Sequence, residues 1–279
     1  MSTVRAYSFL VANFIEYIGI KSIADVNNTD VDRYLAEVFV PRGYSVSTQR
    51  QLISGLKLFK AFRPDCSIDK LELTRPKRDR ILPVVLSKLE VIDLIRCTRN
   101  LKHRAILAMI YSSGLRISEL LNLQLSDINI DRRQVHVKYG KGRKDRYVVL
   151  SEGFLPLLKN YLTTYSPSNY FAEGPKGKQY TASSIRKFLK RSCYNAKITK
   201  RVTPHTLRHS YATHLLENGV NLRHIQMLLG HAKPETTMIY THVMKKDLLD
   251  IRSPLDGILM SLQHLEDNRE HKFLLSDKI

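Results

Sequence analysis

His205 and Arg208 stand three residues apart, directly after Thr203-Pro204. A Thr-Pro pair reads as an N-cap followed by a proline at the first helical position. The spacing of three puts both side chains on one face of that helix. Their place in its first turn is where unpaired N–H groups and the helix dipole favour an anion. Arg suits such a place because its planar fork holds two phosphate oxygens at once. The pair therefore reads as a phosphate clamp. The plain alternative is an Arg and a His solvated on a basic protein. His205 and His209 also form a His-x-x-x-His spacing that zinc could use. However, Thr206 occupies the position where a metalloprotease helix carries Glu, and no cysteine is close. No metal and no cofactor are expected.

Such a clamp needs a field and a scaffold. The 279-residue chain has a formal net charge of +19, and the charge is unevenly spread. Residues 1–79 hold 12 Lys and Arg against 9 Asp and Glu; residues 80–255 hold 30 against 12; residues 256–279 hold 3 against 5. The positive field belongs to the middle segment, and nucleic acid is the commonest polyanion it would attract. A solvated basic surface is the bland alternative. No apolar run approaches the ~20 residues that span a bilayer. The N-terminal stretch, broken by Asn13 and Glu16, reads as a helix rather than a signal peptide. Cys66, Cys97 and Cys193 are odd in number and far apart, which suggests neither a disulfide framework nor a zinc site, and a reducing cytoplasm is the expected setting.

Periodicity supplies the elements. Phe9, Ala12, Phe14, Ile15 and Ile18 recur at helical spacing, and Gly19 is placed to end that helix. Thr29 reads as the N-cap of a second helix, and a third runs from Ser47 to Phe62 before Pro64. Residues 74–80, charged and holding Pro76, read as a linker, with Lys77, Arg78 and Arg80 available to a DNA backbone. Helices follow at 87–96, 103–113 and 116–123. Val135, Val137 and Tyr139 alternate with His136 and Lys138, and 146–150 returns as the second strand of a hairpin. Its turn, Gly140 to Asp145, carries Lys141, Arg143 and Lys144. Helices resume at 154–164 and 182–195. The helix from Pro204 runs to Asn218, Asn221 caps the next up to Gly230, and Pro234 opens one that includes Tyr240.

Five short motifs now fall in order: Ser113-Gly114-Leu115-Arg116 with Glu119, Gly140-Lys141-Gly142, His205-Thr206-Leu207-Arg208-His209, Leu229-Gly230-His231, and Thr237-Met238-Ile239-Tyr240. With them the sequence resembles the tyrosine recombinase (phage integrase, Xer-like) family over roughly residues 80–245. Residues 1–75 share only its helical character and size. The resemblance implies a mainly α fold with a small β-sheet: a helical, SAM-like core-binding domain at 1–75, a linker at 76–83, and an α+β catalytic domain at 84–255. The 256–279 tail, with Ile258, Leu259 and Leu262 as anchors, would be exchanged between protomers; self-docking or fraying is the alternative.

The chemistry implied is phosphoryl transfer without metal or ATP. Attack on a phosphodiester builds negative charge at phosphorus, which Arg116 and Arg208 would neutralise, at on the order of 10²–10³ in rate per donor. Tyr240 is the nucleophile. A free tyrosine has a pKa of about 10 and needs help to lose its proton. His205 is the candidate base, or a donor to the phosphate. Lys141 is the family's candidate general acid, with Arg143 and Lys144 as rivals and a simple backbone contact as the other reading. His231 would bond the scissile phosphate, and Glu119 would hold Arg116 or its neighbours in place. Arg143, Lys144 and Arg146 would also contact DNA. Tyr147 and Tyr211 compete as nucleophiles, but their neighbours suggest packing. The implied function is site-specific recombination through a 3′-phosphotyrosyl intermediate and a Holliday junction, by a homotetramer on two double-stranded DNA sites that is a monomer or weak dimer without DNA. The short N-terminal region suggests a simple recombinase without an arm-binding domain. A type IB topoisomerase-like relaxing enzyme, and a DNA-binding protein of the same fold without catalysis, are the alternatives.

Overall fold

A computed structural model describes residues 3–19, 22–69, 76, 82–138 and 145–242. The chain divides into two compact units, Met1–Ile81 and Leu82–Ile279.

The first unit is built on helices α1 (Thr3–Ile18), α2 (Asn28–Tyr34) and α3 (Val46–Phe62). The cap of α2 is Asn27, not the expected Thr29. Asn27 Oδ1 accepts from the Thr29 and Asp30 amides at 3.0 and 3.4 Å, and Asp30 Oδ2 accepts from the Asn27 N–H at 2.9 Å. Both residues are good caps and each has a carboxylate three positions on, Asp30 or Asp32; the helix starts at Asn28 because the extended backbone lies at Asn27, where Asp30 closes the reciprocal pair. The helix continues as a π-helical turn, Leu35–Phe39. Phe14, Tyr34, Phe39, Leu52, Ile53 and Leu56 fill the core, with Phe14 edge-on to Tyr34 at 5.4 Å.

The second unit carries the chemistry. Ser87 and Glu90 form a capping box that starts α4 (Lys88–Arg96). Asn100 caps α5 (Leu101–Ser113), which begins earlier than the expected His103. Every residue from Ala105 to Ile110 is buried, so α5 is the axis of the unit and not an amphipathic surface helix. After α6 (Ile117–Asn122) come β1 (Ile128–Asn129), β2 (Gln134–Val137) and β3 (Arg146–Val149), an antiparallel sheet in the order β1-β2-β3. β2 and β3 pair Val135 with Val148 and Val137 with Arg146. Val135, Val137 and Val148 face the core. Tyr147, expected to pack, is 62% exposed on the opposite face and stacks on His136 at 4.7 Å, because strand side chains alternate. The hairpin turn lies outside the described residues.

Helices α7 (Leu155–Tyr165), α8 (Ala182–Asn195), α9 (Pro204–Glu217) and α10 (Leu222–Leu229) complete the shell. α9 is buried nearly all round, from Leu207 and Arg208 to Ser210–His214, and packs on α5. Its Ser210 Oγ accepts the buried Leu86 N–H at 2.9 Å. The chain then makes a four-residue helix, α11 (Glu235–Met238), and a 3-10 turn, Ile239–His242, that holds Tyr240. Among the described residues no helix is long and apolar enough to cross a membrane.

Candidate active site

Two glycine-capped helix ends create the centre. Gly114 ends α5 at φ +60, and a Cβ there would come within 2.5 Å of the Tyr211 ring. The left-handed turn and this close approach both require glycine. It reverses the chain so that Arg116 becomes the N-cap of α6. The Arg116 N–H and its Nη1 both donate to Glu119, at 2.8 and 2.6 Å. Gly230 ends α10 at φ +62.

The last carbonyls of α10 have no partner within their own helix. Three successive ones each accept from a different arginine. Leu228 O accepts from Arg146 Nε at 2.7 Å, Leu229 O from Arg208 Nη2 at 2.5 Å, and Gly230 O from Arg116 Nη2 at 3.2 Å. The negative end of the helix dipole and the carboxylate of Glu119 together gather the cations. Arg208, 3% exposed, also donates to Gly114 O at 2.6 Å and lies 3.7 Å from Glu119. Arg146 grips Glu119 with both Nη atoms, at 2.9 and 2.8 Å. Three guanidiniums around one carboxylate leave positive charge in excess, which suits a phosphate.

Burial alone would raise the Glu119 pKa. Hydrogen bonds and charge from Arg146, then from Arg116, outweigh burial and hold it at about 2. Burial, then the Arg116 charge, lowers Arg208 to about 10, with Glu119 opposing.

The imidazoles and the phenol line the same site. His231 follows Gly230, and its Nδ1 meets Thr237 Oγ1 at 2.9 Å. Tyr240 is 1% exposed, packed with Tyr211, Ala212, Ile225 and Leu229. Its hydroxyl meets His209 Nδ1 at 3.0 Å, and its ring lies nearly parallel to that of His231, at 6.4 Å. Burial pushes Tyr240 up to about 12 against the lowering charges of Arg208 and Arg116. Burial and nearby cationic groups depress His209 to about 4 and His231 to about 3, so both rings are neutral at pH 7. His205 is solvent-exposed at the rim, 6.3 Å from His209 between ring centroids. Desolvation by the neighbouring protein, then Arg208, Arg116 and Arg186, lowers its pKa. The arrangement can hold one phosphate beside a protonated phenol that already touches a neutral imidazole.

The expected residues Arg116, Glu119, Arg208, His231 and Tyr240 therefore converge, with His205 at the edge. The side chain touching Tyr240 is His209, not the expected base His205. His209 lies one turn further along α9, a signal available in the spacing of four between the two. Arg146, expected on the DNA, has its guanidinium spent on Glu119 and Leu228, and its side chain is only 10% exposed. Its inward register opposite Val137 is the reason. Lys141, Arg143, Lys144, Lys77, Arg78 and Arg80 lie outside the described residues, as does the 256–279 tail. Thr237 went unassigned in the sequence, although its place three residues before Tyr240 marks it. Also unassigned was the basic face of α8, where Arg186, Lys187, Lys190 and Arg191 are exposed at helical spacing. Among the described residues no three His, Cys, Asp or Glu side chains come together as metal ligands would.

A model described as the phage integrase family matches residues 85–247, and one described as phage integrase, N-terminal SAM-like domain, matches residues 1–62. The chain is 36% identical over 262 residues to a tyrosine recombinase of Thermosipho africanus, spanning 89% of this chain and 91% of that protein. It is 36% identical over 250 residues to tyrosine recombinase XerA of Pyrococcus horikoshii, spanning 88% and 85%. The crystal structure of XerA recombinase matches with a TM-score of 0.54 at 31% identity, over 96% of this chain and 92% of that one. That of XerH site-specific recombinase bound to its difH substrate, a pre-cleavage complex, matches in fold with a TM-score of 0.72 at 22% identity, over 85% and 76%.

Proposed function

The chain belongs to the phage integrase family, the tyrosine recombinases, and on that premise we propose how it works as a site-specific recombinase that cuts and rejoins DNA strands. Arg116 and Arg208 hold the non-bridging oxygens of the scissile phosphate. The Tyr240 oxygen attacks phosphorus in line, the bond to the 5′-oxygen breaks, and a 3′-phosphotyrosine forms. The phenol proton passes to an imidazole; His209 is in contact with the phenol and His205 stands at the rim. His231, oriented by Thr237, bonds the phosphate. Lys141 protonates the leaving 5′-oxygen. The phosphotyrosine conserves the energy of the phosphodiester. A 5′-hydroxyl from another strand therefore reverses the step, and neither ATP nor metal enters the balance.

One observation carries this reading: two arginines from distant segments meet at Glu119 and the end of α10, with Tyr240 and His231 against the same helix end. Because Tyr240 is sealed against His209, the reading requires the turn Ile239–His242 to shift as DNA docks. The partner is double-stranded DNA. Residues 1–75 act as the core-binding domain, 76–83 as the linker and 84–255 as the catalytic domain. Lys77, Arg78, Arg80, Arg143, Lys144 and the exposed face of α8 supply backbone contacts. Four protomers act on two duplexes through a Holliday junction, with the 256–279 tail passing between neighbours.

The test is a suicide DNA site incubated with the protein in EDTA. A covalent adduct on a denaturing gel is expected, and Tyr240→Phe is expected to abolish it while still binding DNA. An adduct that survives Tyr240→Phe, or that needs a metal, refutes the reading.

A further inference from the structure

Arg146 is the first paired residue of β3 after the 139–144 segment that carries Lys141. β2 and β3 are four residues each and β1 is two. Ribbons this short are marginal by themselves. The root of the hairpin is instead tied down by ions on both strands. Just beyond β2, Lys138 Nζ lies 2.5 Å from Asp127 Oδ1, whose side chain is 5% exposed. On β3, Arg146 makes two bonds to Glu119 and one to Leu228 O. Its aliphatic stem lies against Gly230, where a Cβ would stand 3.1 Å from Arg146 Cδ. The strand bearing the hairpin is thus bolted to the carboxylate that holds Arg116 and to the helix end that holds Arg208.

We propose that Arg146 is a positioning residue: it fixes the hairpin root against Glu119 and α10, and through that root serves the leaving-group step that the recombinase reading gives to Lys141. The inference rests on the recombinase reading and on Lys141 as the acid. It assigns Arg146 to the leaving-group step and not to DNA affinity. A misplacement of about 1 Å at a reacting group costs on the order of 10²-fold.

The experiment compares wild type with Arg146→Met on two suicide sites, one ordinary and one with sulfur as the 5′-bridging atom. A thiolate, with a thiol pKa of about 8.5, leaves without a proton donor; an alkoxide, on the scale of water at about 15.7, does not. Arg146→Met is expected to cleave ordinary DNA on the order of 10²-fold more slowly and sulfur-bridged DNA at the wild-type rate, with unchanged affinity. The slope of affinity against salt stays as in wild type, whereas loss of a phosphate contact would reduce it by about 1. Three outcomes overturn the proposal: an unchanged rate on ordinary DNA, an equal loss on both substrates, or weaker binding with a shallower salt slope. Should Arg146→Met fail to fold, Arg146→Lys gives the same readout, with a smaller loss and the same rescue. Lys141→Ala on the same pair tests the acid by itself, and an absence of adduct in wild type would refute the recombinase reading independently of Arg146.

Discussion

Acid should loosen the catalytic unit well before its carboxylates titrate, and the cause lies in two histidines. His209 and His231 are held at about 4 and about 3, against an ordinary value of 6.5. A depressed pKa in the folded chain means that the unfolded chain binds the proton first. The stability these rings contribute is complete above pH 6.5 and is lost as pH falls toward their folded values. Between pH 7 and pH 5 each unfolded ring becomes almost fully protonated while its folded counterpart stays mostly neutral. The linkage integral is about 2 kcal/mol for each ring, or about 4 kcal/mol for the pair, a large share of an ordinary domain's stability. Glu119, held at about 2 from 4.5, adds its own loss only below about pH 4.5. Urea unfolding of the full chain at pH 7, 6 and 5, followed by circular dichroism, measures the sum. His209→Asn removes one titrating ring and keeps a polar atom near Tyr240. Its stability should fall by about 2 kcal/mol less than wild type over the same range. A direct NMR titration should find the His209 ring near pH 4. Parallel pH curves for the two proteins, or a ring that titrates near 6.5, would refute the reasoning.

Gly114→Ala forces a side chain into a left-handed turn and against the Tyr211 ring; urea unfolding should show a loss of about 2–3 kcal/mol. Ser210→Ala leaves the buried Leu86 N–H without its acceptor, and the expected cost is about 1–3 kcal/mol by the same measurement. Glu119→Gln keeps the size of the side chain but removes the charge that gathers Arg116 and Arg146. Single-turnover cleavage of a suicide site should slow on the order of 10²-fold with little change in DNA affinity, and a variant at wild-type speed would show that Glu119 positions nothing.

What the sequence determined by itself is what short-range chemistry controls. Proline, glycine and hydroxyl or amide caps act on the backbone within a few residues, so α9, α10 and the left-handed ends at Gly114 and Gly230 were legible before any fold was known. The types and order of Arg116, Glu119, Arg208, His231 and Tyr240, through their resemblance to the tyrosine recombinases, likewise pointed to phosphoryl transfer. The tertiary structure decided every choice among local equals. Asn27 and Thr29 are both good cap types, each with an Asp three residues on, and only the point where the backbone turns from extended to helical selects Asn27. His205 and His209 share a helix face, and only the packing of Tyr240 selects His209. Arg143, Lys144 and Arg146 look alike along the chain, yet Arg146 points inward because its strand register places it opposite Val137, beside a carboxylate and three orphan carbonyls contributed by two distant helices. A salt bridge, or a buried phenol with its pKa near 12, depends on atoms brought together from far along the chain. Only the fold supplies that proximity, and with it the electrostatics of the site.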